Sequence, residues 1–478
     1  MKPLLKTHAL GVRTADTQLV EPLSIELWPG KVLTVIGETG SGKSLFAQAI
    51  VGNLPPGLHA QGTIEFGDGF REDGQQDGRR ALWGRQIAVL PQEPWLSLDP
   101  TMRARNQVTE TYRYVVGKPA DESARLVTRD MTRLGLEQAQ MKFPFQLSGG
   151  MAQRLAFAAT HAGGARVMIA DEPTKGLDSA RIGEVVGLLQ AGVAEGGTLL
   201  IITHDIEVAR RLGGDVMIMY KGRIIETGTA EQVLNNPKDG YTRRLLNADP
   251  TRWPPRKRPT QKGERIIEVR DLAVQRGGRT LFERLSFDVH RGEVVGVTGP
   301  SGCGKSTLGD AILGLIPIHE GSVSKRGNPP RVAFQKLFQD PVAAFPPTIT
   351  LARSLSDLVR LHHLDSSRID PLLKRLRLEP ALLGRLPGNV SGGELQRFSL
   401  LRVLMLDPLF IFADEPSSRL DPITQQEMIE LLVEVAREND TAILLVSHDE
   451  ALIASVADRR IRLDTSLEHD IPGEPIAV

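Results

Sequence analysis

Two stretches, GETGSGKS at 37–44 and GPSGCGKS at 299–306, set a lysine and a serine behind glycines in the pattern G-x-x-x-x-G-K-S. Each follows an apolar, strand-like run (VLTVIG, EVVGVTG) and precedes a helix-like one (LFAQAIVGNL, TLGDAILGLI). Strand, glycine loop and helix in that order make a phosphate cradle. Glycines let backbone N–H groups turn inward, and the helix N-terminus adds a favourable dipole. The cradles are Gly37, Glu38, Thr39, Gly40, Ser41 and Gly42 in one stretch, and Gly299, Pro300, Ser301, Gly302, Cys303 and Gly304 in the other. Lys43 and Lys305 are expected to reach the β- and γ-phosphates. Ser44 and Ser306, the latter followed by Thr307, are expected to ligate Mg²⁺.

Further on, an acidic pair closes an apolar strand in VMIADEP and in FIFADEP. Asp171 and Asp414 suit holding Mg²⁺ through water. Glu172 and Glu415 suit polarising the attacking water as general bases. The strand-like runs LLIITHD and ILLVSHD then end on His204 and His448, placed to donate to a γ-phosphate. LSGGMAQR and VSGGELQR put Ser148, Gly149 and Gly150, or Ser391, Gly392 and Gly393, before a helical pattern, which makes another anion site.

These motifs are the skeleton of a tandem repeat. The blocks beginning at Leu10 and Leu272 run in step to Lys43 and Lys305, an offset of 262 residues. Both copies continue through a glutamine, Gln92 or Gln339, then SGG, the acidic pair and the histidine. From Ser148 to Asp171 and from Ser391 to Asp414 the spacing is 23 residues. The copies differ mainly between lysine and glutamine, 49 residues against 34, and the excess GDGFREDGQQDGRRAL (67–82) reads as a surface loop. The Pro-rich, basic stretch near 247–265 reads as a stiff, solvated linker. Domains are therefore expected over 1–249 and 265–478, joined by 250–264.

Composition narrows the class. Charge is balanced, 58 basic residues against 58 acidic, so no global field draws the chain to nucleic acid. No apolar run approaches the roughly 18 residues of a membrane helix, and no secretory leader pattern opens the chain. One cysteine, Cys303, excludes an internal disulfide, a Cys₄ zinc module and an iron–sulfur cluster. Cys303 aligns with Ser41, an interchangeable small position. Its thiolate is expected to be favoured by the helix N-terminus and Lys305, so that ATP blocks its alkylation.

The ordered set over nearly the whole chain resembles the ATP-binding subunits of ABC transporters: Walker A loops, Q-loop glutamines, signatures, Walker B pairs and switch histidines. KGLD (175–178) and SRLD (418–421) resemble the family's D-loops, with Asp178 and Asp421 as nucleotide-site residues. By that resemblance Gln92 and Gln339 also sit on Mg²⁺. The fold implied is α/β: two tandem P-loop NTPase (ABC-type) nucleotide-binding domains, each an ATP-binding core with a helical subdomain, in a pseudo-twofold, head-to-tail pair. The SGG of one copy then caps the ATP of the other, closing on ATP and reopening on hydrolysis.

QEPWLSLDP and the stretch MIMYKGRIIETGTAEQVLNNPKDGYTRRLL (217–246) resemble the peptide/nickel importer group. That implies two transmembrane permease subunits, an extracytoplasmic solute-binding protein and a place on the cytoplasmic face of the membrane. Peptide, nickel, metal–chelator and glutathione-like solutes all fit. A fused sugar importer and a soluble translation-factor-type ABC ATPase carry similar motif sets and remain alternatives. The family's adenine-stacking aromatic has no counterpart near Thr14 or Arg276, where Arg13 or Arg276 is the candidate.

Overall fold

Along Thr198–Thr203, Leu200 and Ile202 join the core under the helix Lys43–Val51. Leu199 and Ile201 join the core under the helices Ser179–Ala194 and Ile206–Leu212. A strand buried on both faces belongs inside a parallel sheet covered by helices on both sides. The computed structural model builds that arrangement twice. It describes residues 2–463 apart from 74–77, 93, 176, 178, 255, 257–262, 301 and 328. The chain divides into two compact units, Met1–Leu246 and Asn247–Val478.

In the first unit the main sheet runs in the order Arg223–Thr229, Asp215–Tyr220, Val32–Ile36, Thr198–Thr203, Val167–Asp171, Ile87–Leu90. All neighbours are parallel except the antiparallel pair at the Arg223 edge. The phosphate-loop strand is thus followed in space by the histidine strand and then by the acidic one. A second, antiparallel sheet contains Leu5–Arg13, flanked by Gln18–Leu23 and His59–Phe66. Its apolar residues share one core with Phe46 and Ile50 of the phosphate-loop helix. The helices Ala104–Glu110, Ala120–Arg133 and Gly149–His161 pack around Val108, Val127, Met131 and Leu155 as a helical subdomain.

The second unit repeats the plan, with five parallel strands in the order Phe334–Leu337, Phe410–Asp414, Ala442–Val446, Val294–Thr298, Arg459–Arg462. Its antiparallel sheet is Arg279–His290, Arg265–Arg276 and Glu320–Lys325. Its helical part comprises Leu351–His362, Ile369–Arg375 and Gly392–Leu404. The expected α/β, tandem P-loop architecture with helical subdomains is therefore present.

The repeats diverge where helix meets sheet. A Cβ at Gly309 would lie 2.1 Å from the ring of Phe412. The corresponding residues of the first unit are Ala47 and Ile169, both in its core.

Two expectations give way. The excess stretch 67–82 is not simply a surface loop, because Arg71–Asp73 adds a strand beside His59–Phe66 and Arg79 is fully buried. Arg79 pairs with Glu72 at 2.6 Å and donates to the carbonyls of Ala49 and Ile50, groups a helix C-terminus leaves without intrahelical partners. The linker expected over 250–264 is not solvated throughout. Trp253 packs on the second unit's core, its indole N–H donating to Ala248 O at 3.0 Å, and the unit boundary falls after Leu246.

Candidate functional site

Each phosphate loop is wound around its own lysine. Buried Lys43 donates through Nζ to Gly37 O and Glu38 O, both at 2.7 Å, and to Ser41 Oγ at 3.2 Å. Lys305 donates to Gly299 O at 2.8 Å and Pro300 O at 3.1 Å. Gly42 at φ 101° and Gly304 at φ 104° turn the chain into the helix, a conformation that penalises any side chain. Thr39, Gly40 and Gly302 are exposed on the loops, and Thr307 is buried in the first helical turn. Ser301 lies outside the described residues.

Cys303 corrects its expectation. It is 1% exposed and belongs to the apolar core with Val295 and Leu308, so reagents in solution do not meet its thiol. Its backbone N–H, like that of Ser41, closes a turn onto the carbonyl three residues back.

Ser44 Oγ donates to Asp171 Oδ1 at 3.2 Å, and Ser306 Oγ to Asp414 Oδ1 at 2.9 Å. Burial pushes both aspartates above the usual carboxylate range, against the pull of these serines and nearby lysines. A hydroxyl beside a carboxylate whose charge lacks solvent fits a hard cation with oxygen ligands. Among the described residues no group of three or more His, Cys, Asp or Glu could hold a metal.

Glu172 and Glu415 follow at φ 46° and 45°, in the left-handed region. Their N–H groups donate to Ile202 O at 2.7 Å and Val446 O at 3.1 Å, on the neighbouring histidine strand, which holds the strained turn. His204 Nδ1 lies 3.0 Å from Glu172 Oε2, and His448 Nδ1 lies 3.5 Å from Glu415 Oε2. Burial pushes Glu172 up, but the close contact and charge of His204, then Lys175 and Lys43, outweigh it and hold it at about 2. Glu415 is lowered by His448 in the same way, against burial. Gln339 Nε2 donates to Glu415 Oε2 at 2.9 Å, whereas Gln92 is exposed just beyond its strand.

Ser148 and Ser391 are helix N-caps, accepting from the N–H groups of Met151 and Glu394, with the paired glycines Gly149–Gly150 and Gly392–Gly393 in the first turn. Asp421 likewise caps the helix Pro422–Glu438 through Thr424. Asp178 lies outside the described residues. Arg13 and Arg276 end the strands Leu5–Arg13 and Arg265–Arg276 with exposed side chains.

Residues 20–175 and 282–418 match the family model described as ABC transporter. The chain belongs to that family. Among curated relatives, peptidoglycan transport ATP-binding protein YejF of Agrobacterium fabrum is 31% identical, covering 96% of this chain and 90% of its own length. Glutathione import ATP-binding protein GsiA of Escherichia coli K12 is 32% identical, covering 92% and 81%. Among solved structures, RNase-L Inhibitor superposes with a TM-score of 0.63 at 21% identity, over 95% of this chain and 87% of its own. A chain of the complex of archaeal ribosomal stalk protein aP1 and ribosome recycling factor aABCE1 gives 0.65 at 21% identity, over 95% and 87%. Those two share the fold. The protein is thus an ATP-binding ABC ATPase, and no helix among its described residues is long and apolar enough to cross a membrane.

This ABC protein also uses residues that the motif reading passed over. Tyr241 receives the Glu38 N–H on its hydroxyl at 3.0 Å and lies 4.3 Å, ring to ring, from Tyr220. Lys336 pairs with Asp310 at 2.7 Å and stands 3.6 Å from Asp414. Lys175 stands 3.5 Å from Glu172. Gln153 and Gln396 are buried and donate to Pro173 O and Phe338 O, tying each signature helix to its ATP site. Aligning the halves was the available signal for the lysines, since Lys175 opposes Ser418 and Lys336 opposes Val89. Tyr241 lies beyond the last of the repeated motifs, so the repeat gave no signal for it.

Proposed function

We propose that this chain is the energy-coupling ATPase of an importer for peptides, glutathione-like compounds or other small solutes, nickel and metal–chelator complexes among them. The observation that carries the reading is duplication without decay. Both units keep lysine, glutamine, aspartate, glutamate and histidine, while relatives named for peptidoglycan transport and glutathione import align along nearly the whole chain. In each unit the lysine and loop N–H groups bind the triphosphate, and serine and aspartate would hold Mg²⁺. The glutamate takes the proton of the attacking water, and the histidine holds the glutamate and faces the γ-phosphate. Mg²⁺, when bound, would supply neutralisation of the phosphate charge.

The partners are two membrane permease subunits fed by an extracytoplasmic solute-binding protein, which puts the chain on the cytoplasmic membrane face. Exposed Leu96, Tyr114, Met141 and Phe145 support permease docking, since all fall between Gln92 and Ser148, off the ATP-binding core. Co-expression with permease subunits of a peptide-type importer should move the chain to the membrane fraction and make its ATPase activity respond to loaded binding protein. Co-sedimentation with ribosomes and indifference to the permeases would overturn the reading in favour of a translation-factor role.

A further inference from the structure

In the first unit a pocket of about 620 Å³ opens beside Lys2, Arg85 and Arg166. Arg85 and Arg166 lie just before the strands Ile87–Leu90 and Val167–Asp171, so the pocket sits at the N-terminal ends of those strands. Asp171 stands at the opposite end, four residue steps of about 3.3 Å each along the strand. The pocket is therefore separate from the ATP site.

Three cations line it, against one carboxylate, Asp68. Asp68 is already engaged, accepting from Gln86 Nε2 and from the Phe70 N–H. The guanidiniums are held by carbonyl groups instead of acids. Arg85 Nε donates to Val115 O at 3.1 Å, and Arg166 Nη2 donates to Gly196 O at 3.2 Å. Among the described residues none of the three cations has an ion-pair partner. Each guanidinium is thus anchored by one donor and keeps others for a ligand.

The second unit shows that the fold does not require these charges. Counting from the shared motifs, Lys2, Arg85 and Arg166 correspond to Glu264, Val332 and Leu409. Glu264 pairs with Arg326 at 3.1 Å, and Leu409 packs on the core. Like charges gathered without counter-ions repel one another, and a bound anion offsets that repulsion. Two positive charges in excess call for a dianion. The apolar side chains of Leu4 and Phe66 in the same wall suit an organic body.

We propose that this pocket is a second ligand site of the first unit, taking a small organic dianion, either a dicarboxylate or a phosphate monoester. Arg85, Arg166 and Lys2 hold its charged groups, and Leu4 and Phe66 face its carbon skeleton. The site is independent of the importer reading, because it uses none of the ATP-site residues.

The test is calorimetric titration of the full chain with both ATP sites filled by a non-hydrolysable analogue and Mg²⁺. The probes are succinate, a dicarboxylate, and glycerol 3-phosphate, a phosphate monoester. At least one should bind once per chain, and the tighter of the two names the charged group. Arg85→Gln and Arg166→Gln should each weaken it about tenfold, and Lys2→Glu should weaken it too. Propionate, a monoanion, should bind at least about tenfold more weakly. Binding by neither dianion, equal binding of propionate, or binding unchanged in the variants overturns the proposal. Melting temperatures check that each variant folds. Should an arginine variant fail to fold, Lys2→Glu decides, since that side chain is exposed.

Discussion

His204 Nδ1 and Glu172 Oε2 stand 3.0 Å apart although 32 residues separate them in the chain. The contact exists because the strand Thr198–Thr203 lies directly beside Val167–Asp171, so two strand ends open on one edge. Glu172 is held further by its own N–H on Ile202 O, which fixes the left-handed turn that aims the carboxylate. The second unit repeats the relationship with His448 and Glu415 at 3.5 Å.

Replacing both Glu172 and Glu415 by Gln keeps the shape of each site but removes proton acceptance. Steady-state ATP turnover should fall by about 10²–10⁴ while nucleotide binding, measured by equilibrium titration, persists. Turnover at the wild-type rate in the double variant would remove both glutamates from the chemistry.

Burial alone would lower His448, but the Glu415 hydrogen bond and charge outweigh it and raise the imidazole above its ordinary 6.5. Its contribution to stability is therefore complete below pH 6.5 and is lost as pH rises through the raised value. Lowered Glu415 contributes above its ordinary 4.5, a contribution lost as pH falls below that. The pair thus stabilises the second unit most between about 4.5 and 6.5. Trp253 is the only tryptophan of that unit, so with Trp28, Trp83 and Trp95 changed to Phe its fluorescence reports the melt. Between pH 6.5 and 8 the melting temperature should fall, and His448→Gln should flatten that fall. An unchanged slope would show that the pair does not form in solution.

Glycine inside a helix is disfavoured, yet Gly309 sits in Lys305–Leu313 because the Phe412 ring fills the space a methyl would need. Gly309→Ala should cost about 1–3 kcal/mol by overpacking. Adding Phe412→Ile, the first unit's solution, should recover most of the loss in urea unfolding. Additive losses in the double variant would disprove the coupling.

Tyr241 braces the first phosphate loop through the Glu38 N–H. Tyr241→Phe removes one hydrogen bond, worth about 1 kcal/mol, and should weaken ATP at that site about fivefold. Calorimetric titration with a non-hydrolysable analogue should show one site weakened and the other unchanged. Two equally weakened sites would point to a general loss of fold instead.

The chemistry was legible in the sequence because each motif is a few adjacent residues with an unusual demand. Gly42 and Gly304 must take positive φ, Lys43 and Lys305 must follow them, and Asp171 and Asp414 must end apolar strands. Duplication then set the order and the α/β class, since five motifs recur in the same order. Tertiary structure alone decided which strand lies beside which. The histidine strand comes last of the three in the chain yet sits between the other two, a long-range pairing that no local pattern encodes. Burial followed from that same packing. It put Arg79 wholly inside where its loop composition suggests solvent, turned Cys303 into the core, and brought Lys175 against Glu172. Partners of this kind depend on how distant segments fill a common space, so the sequence nominates the candidate groups and the fold decides what lies against them.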